Sequence, residues 1–133
     1  MEPIEKYEYW LDIAEYDLKT AEIMYKKKRW LYVVFMCQQA IEKLCKGLYV
    51  LYLDDNVPKS HNINFIVFKY ADKLSVEVTE EQKKLFENLT IHYLNGRYPE
   101  YKENLSKSVD KNTAKKFLSE TKEAFKCLLK WKP

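Results

Sequence analysis

The side chains best equipped for chemistry in this sequence are few and far apart. Its two histidines are His61, in Ser60-His61-Asn62, and His92, in Ile91-His92-Tyr93. Neither has a second histidine or cysteine three or four residues away, so the spacing that grips a metal from one helix face is absent. Gly47 and Gly96 stand alone, which leaves no glycine-rich loop for a phosphate, and no serine sits in a nucleophile-elbow setting. Each histidine by itself reads first as structural, a cap or a hydrogen-bonded core edge. Arg97-Tyr98-Pro99 offers more. A guanidinium is a planar fork matched to phosphate or carboxylate, and Pro99 stiffens the backbone behind it. The same cation would also sit well at a helix C-terminus, and on residue types alone the two readings stand level.

Three other groups carry charge in patterned positions. Asp17 falls within the apolar arc of a helical segment, where a carboxylate must be paired, hydrogen-bonded or protonated. A Lys, Arg or Tyr on a neighbouring helix is the first expectation, and a site carboxylate in a cleft the second. The run Gln38-Gln39-Ala40-Ile41-Glu42-Lys43-Leu44-Cys45-Lys46 projects an amide, an acid and two ammonium groups from one side of a helix. That side is a solvated face, a polar seam within a dimer contact, or an anion-facing patch built on Lys43 and Lys46. Lys111, Lys115, Lys122 and Lys126 share a narrow arc of the last segment. A basic stripe can track a phosphate backbone, but this one lacks the aromatic platform of single-strand binders and reads first as solvated.

Five helical segments are expected to position these groups. The first runs from about Ile4 to Lys27, with Trp10, Ile13, Ala14, Leu18, Ala21 and Met24 on one arc. The second, about Trp30 to Leu53, is apolar on two sides. Val33, Val34, Cys37, Ala40, Ile41, Leu44 and Leu48 form one arc, while Tyr32, Phe35, Met36, Val50 and Leu53 lie on the reverse. In so small a bundle that pattern points to a homodimer contact through the reverse face. A third segment covers about Ile63 to Leu74. Thr79 and Gln82 form a capping-box pattern opening the fourth, which ends at Gly96 as a left-handed C′ residue. An irregular stretch from Arg97 to about Ser108 then leads to a last helix, about Lys111 to Trp131. Short connections between long helices make antiparallel neighbours, so residues 1–133 are expected to form a single all-α domain, an up-and-down bundle of four to five helices.

Bulk composition agrees. Hydrophobic residues make up 47% and charged residues 32%, and two glycines with four prolines leave little material for the tight turns of a β-fold. The net charge of +3 is modest, although the stretch from Lys102 onward carries nine Lys against four acids. Three unpaired-looking cysteines, no signal-like apolar core and no apolar run of spanning length point to a cytoplasmic protein without a membrane segment.

Taken in order, these pieces resemble the HEPN domain family, the higher-eukaryote and prokaryote nucleotide-binding domains, in its RYP-type prokaryotic branch. The resemblance rests on Trp10, Ala14-Glu15-Tyr16-Asp17-Leu18 and Ala21, then Phe35-Met36-Cys37-Gln38-Gln39-Ala40-Ile41-Glu42-Lys43-Leu44-Cys45-Lys46. It continues through Pro58, Ser60-His61-Asn62-Ile63 and Arg97-Tyr98-Pro99. It implies a bundle that commonly homodimerises and, in prokaryotes, is often encoded beside a minimal nucleotidyltransferase as a toxin–antitoxin-like pair. Many members are metal-independent endoribonucleases with an Arg-x4-6-His motif. Here the corresponding positions are Lys102, Glu103 and Asn104, while His92 precedes Arg97 by five residues. The resemblance therefore implies a non-enzymatic nucleotide- or partner-binding subunit using Arg97, Tyr98 and Pro99, supported by His61, Lys43 and Lys46, with no cofactor. The alternative is a ribonuclease acting on RNA, in which Arg97 stabilises developing charge and His92 moves protons. A plain dimerisation module is the third reading.

Overall fold

The structure is a computed structural model that describes residues 1–133, apart from the side chains of Tyr101, Lys102, Leu105 and Ser106. Its helices are α1 (Pro3–Lys26), α2 (Trp30–Tyr52), α3 (Ile63–Phe68), α4 (Glu80–Asn95), α5 (Pro99–Ser108) and α6 (Lys111–Leu129), with a short 3-10 turn at Ala71–Lys73. The protein is an all-α bundle.

Helix α1 begins with proline in its first turn, where a missing N–H costs nothing, and it carries Glu5 near its start and Lys26 near its end. Lys28, at φ 61°, takes the left-handed conformation that lets the chain reverse within three residues. The contacts from link to open end show an antiparallel hairpin. Tyr25 meets Trp30 edge-on, Lys43 reaches Asp17, and Lys6 reaches Asp55. Gly47 permits this closeness, since a Cβ there would lie 2.9 Å from Trp10 Cβ and 3.2 Å from Tyr7 Cδ2. Ile13, expected inward, is instead partly exposed on the outer side of α1.

Helix α2 is the centre of the molecule, packed by α1, α3, α4, α5 and α6. This overturns the expectation that its reverse face is left for a second copy. Gln38, Glu42, Lys46 and Val50 on that face are buried within the chain, Phe35 and Met36 are half-buried, and Tyr32 and Leu53 near its ends are exposed. The short helices α3 and α5 supply cover that a count of long helices misses. The third segment is briefer than its apolar spacing implies. Asn62 caps it by accepting from Phe65 N–H at 3.1 Å, and after Phe68 the chain tightens into the 3-10 turn. Tyr70 then anchors the segment, its hydroxyl donating to the Cys45 carbonyl at 3.1 Å.

The capping box opening α4 is complete. Gln82 N–H donates to Thr79 Oγ1 at 3.0 Å, and Thr79 N–H donates to Gln82 Oε1 at 2.9 Å. At the other end the expected left-handed glycine is not found, because Gly96 is right-handed at φ −66°, ψ −11°. Glycine is needed there for room, since a Cβ would meet Phe35 Cζ at 2.2 Å. The stretch expected to be irregular is largely helix α5. Pro99 occupies its first position, which proline tolerates, and Glu100 and Lys107 complement the helix dipole at its two ends.

Asp110 caps α6, accepting from Thr113 N–H at 2.8 Å. Cys37 on α2 lies against Thr121, and the Tyr52 hydroxyl donates to the Trp131 carbonyl, so α6 runs parallel to α2. Phe35 meets Tyr93 and Gly96, so α4 runs antiparallel to α2. The four long helices therefore alternate in direction. Cys37 and Cys45 are free and buried, and burial pushes both thiols up to about 12, which makes them apolar filler. Cys127 is free and exposed. Among the described residues, no helix is long and apolar enough to cross a membrane.

Candidate functional site

Position 42 is where a local pattern becomes a site. Gln38, Glu42 and Lys46 are spaced by four, so they stack along one line of α2. Glu42 is 2% exposed, and an isolated carboxylate at that depth would be very costly. It is fully engaged. Oε1 accepts from Gln38 Nε2 at 2.9 Å and from His61 Nδ1 at 2.9 Å, while Oε2 accepts from Lys46 Nζ at 3.0 Å. Burial pushes the Glu42 carboxyl upward, but the hydrogen bonds from Gln38, His61 and Lys46, with the Lys46 charge, outweigh it and hold it below the usual carboxylate range.

His61 arrives from the link between α2 and α3. Gln38 Nε2 also donates to the His61 carbonyl at 2.9 Å, so backbone and ring are both tied to α2. A carboxylate oxygen can only accept, so Nδ1 carries the hydrogen and Nε2 is the ring nitrogen left for a ligand. The ring is about one-third exposed and lies tilted against Tyr93 of α4, with centroids 5.1 Å apart.

The seam extends toward α1 through side-chain amides. Gln39 Nε2 donates to Gln38 Oε1 at 2.7 Å, and Lys43 Nζ donates to Gln39 Oε1 at 3.1 Å and to Asp17 Oδ2 at 2.9 Å. Asp17 thus finds the neighbouring-helix cation that its position demands. Lys43 is consumed by that pair.

Arg97 lies at the other edge. It follows the C-terminus of α4, where Gly96 N–H bonds the His92 carbonyl, and its guanidinium sits over the Tyr93 ring, 5.9 Å from the centroid. It is exposed, and no carboxylate among the described residues lies within ion-pair distance of it. Tyr93 also meets Phe35, which meets Tyr32, so one aromatic cluster carries both His61 and Arg97. Tyr98 is exposed beside Arg97, and Pro99 starts α5. The grooves around Trp10, between α4 and α6, and beside the 3-10 turn are lined by other residues.

The structure therefore gathers His61, Lys46 and Arg97 about Glu42 and Tyr93, with Lys43 and Asp17 as a neighbouring closed pair. His92 takes different partners. Its Nδ1 faces the Asn88 carbonyl at 2.8 Å and its ring packs edge-on against Phe117 of α6. The position nearest Arg97 in the ribonuclease motif, Lys102, lies outside the described side chains. On α6, Lys122 pairs with Glu22 at 3.2 Å, which interrupts the basic arc. Glu42 and Tyr93 are the two central residues that sequence reasoning did not single out. The spacing by four of an amide, an acid and an ammonium was the available signal for Glu42. Nothing local marked Tyr93.

A profile of the HEPN domain family matches residues 7–131. The chain belongs to the HEPN domain family, a nucleotide-binding or ribonuclease-like class. The crystal structure of TT1696 from Thermus thermophilus is similar to it, with a TM-score of 0.80 over 94% of this chain and 97% of that one, at 20% identity. At that identity the likeness is one of fold. A comparison with curated proteins gives no match.

Proposed function

We propose that this chain is a non-enzymatic nucleotide-binding subunit that acts as a homodimer with a minimal nucleotidyltransferase in a toxin–antitoxin-like pair. The observation that carries the reading is the Tyr93 cluster, which holds an exposed guanidinium with no carboxylate partner among the described residues, beside a histidine whose Nε2 is available. Arg97 supplies the fork for a phosphate, His61 adds a hydrogen bond, and the Tyr93 ring holds both in place. Tyr98 and Pro99 shape the rim. Membership of a nucleotide-binding or ribonuclease-like family supports the ligand class.

The test is calorimetric titration of the purified chain with adenosine and guanosine mono- and triphosphates, paired with co-purification from the native host. Binding should weaken by about tenfold in Arg97→Ala, the order expected for one lost charge-assisted contact. A minimal nucleotidyltransferase should accompany the wild type. No nucleotide affinity at millimolar concentration and repeated recovery of the chain alone would end the proposal. Metal-free RNA cleavage that disappears in both Arg97→Ala and His92→Ala would replace it with the ribonuclease reading.

A further inference from the structure

The outer side of α1 is more apolar than a solvent face requires. Tyr9, Ile13, Tyr16 and Ile23 are 66%, 38%, 75% and 52% exposed. With Thr20 they recur at intervals of four, three, four and three, the spacing of a coiled-coil seam. Thr20 does not break the stripe, because its hydroxyl donates to the Tyr16 carbonyl at 3.0 Å within the helix. The stripe is about 21 Å long at the rise of an α-helix and lies away from the buried Tyr7, Ala14 and Ala21. On one flank it runs into a groove lined by Trp10, Val50 and Val57, so its apolar surface extends beyond one helix.

The opposite flank identifies the occupant. Glu5, Asp12, Lys19 and Lys26 repeat every seven residues along it, all exposed and none in an ion pair among the described residues. The first two are acids and the last two are bases. We infer that the outer face of α1 pairs two copies of this chain antiparallel, about a two-fold axis between Ile13 and Tyr16, with Asp12 of each copy against Lys19 of the other. In that register Ile13 meets the partner's Tyr16, Tyr9 meets the partner's Thr20, and Glu5 faces the partner's Lys26. Every charged contact is attractive, and symmetry makes each occur twice. Sliding by one heptad sets Lys19 against the partner's Lys19. A parallel arrangement would match this flank with Trp10, Asp17 and Met24, which face the bundle, and gains no ion pair. Charge thus selects one orientation and one register.

This inference deepens the dimer part of the proposed function and uses no residue of the Arg97 site, so nucleotide binding and self-association can fail separately. Sedimentation velocity and light scattering over micromolar to millimolar protein read it directly. The wild type should form a dimer that weakens as salt rises. Asp12→Lys and Lys19→Asp should each raise the dissociation constant about tenfold or more, since each turns two attractions into repulsions. An equimolar mixture of the two variants should recover a heterodimer, because each then carries the charge the other lacks. Tyr16→Glu should be monomeric with unchanged far-ultraviolet circular dichroism. A wild type that stays monomeric throughout, or a dimer indifferent to all three substitutions, overturns the inference. Loss of the dimer in Tyr16→Glu without recovery in the mixture overturns the register and with it the proposal.

Discussion

Lys46 and Arg97 are two cations at the edges of one site, and the protein treats them oppositely. Lys46 is buried, neutralised by Glu42 and locked by a helix spacing of four. Arg97 is exposed and rests on an aromatic ring without a carboxylate partner among the described residues. A buried ion pair has traded hydration for fixed partners, so it acts as scaffold. An exposed guanidinium retains its hydrogen-bonding capacity for something from outside. The difference teaches that charge alone does not mark a binding residue; what its neighbours have already taken does.

That contrast can be broken from either side. The largest effect should come from Glu42→Ala, which strands the Lys46 ammonium and the Gln38 amide in the interior. A loss of about 3 kcal/mol in urea unfolding is expected, the order found when one partner of a buried pair is removed. Glu42→Gln should separate the charge from the hydrogen bonds through pH. The folded carboxyl lies below its ordinary range, so as pH falls the unfolded chain takes up this proton first. The stabilisation it contributes is complete above the ordinary carboxylate range and is lost as pH falls through the folded value. Denaturation midpoints measured from neutral to acidic pH should therefore fall less steeply in Glu42→Gln than in wild type. Next in size is Gly96→Ala, whose Cβ would press into Phe35 and disturb the cluster under Arg97. About 1–3 kcal/mol is expected, with partial recovery when Phe35 is also cut to Leu. The smallest effect on stability belongs to Arg97→Ala, within about 0.5 kcal/mol by thermal denaturation, since the residue is exposed and outside any ion pair among the described residues. A large loss there would make Arg97 scaffold as well, and the contrast would vanish.

Much of the scaffold was readable from spacing. The Thr79–Gln82 box and the inward arc of α2 from Val33 to Leu48 are local patterns with local causes, and each is found in place. What failed was tertiary. A helix apolar on two sides can face a second chain or be wrapped by its own, and residues as brief as Ile63–Phe68 and Pro99–Ser108 did the wrapping. Pro99 read as a stiffener because proline signals both a break and a helix start. The site was legible only in fragments. Arg97, His61 and Lys46 stood out by type, but the sequence separation of 19 between Glu42 and His61 conceals their meeting, which follows from chain reversal. Tyr93 carries no mark in the sequence, and its role comes from what rests on it.

The three-residue link between α1 and α2 has a kinetic consequence. Closing so short a loop costs little entropy, so the hairpin should assemble early in folding, with Gly47 already seated against Trp10. His61 reaches Glu42 only after the longer α2–α3 connection closes. The carboxylate then spends the early stages facing water with only Gln38 and Lys46 of its own helix, and its burial marks the passage from a docked pair of helices to the finished molecule.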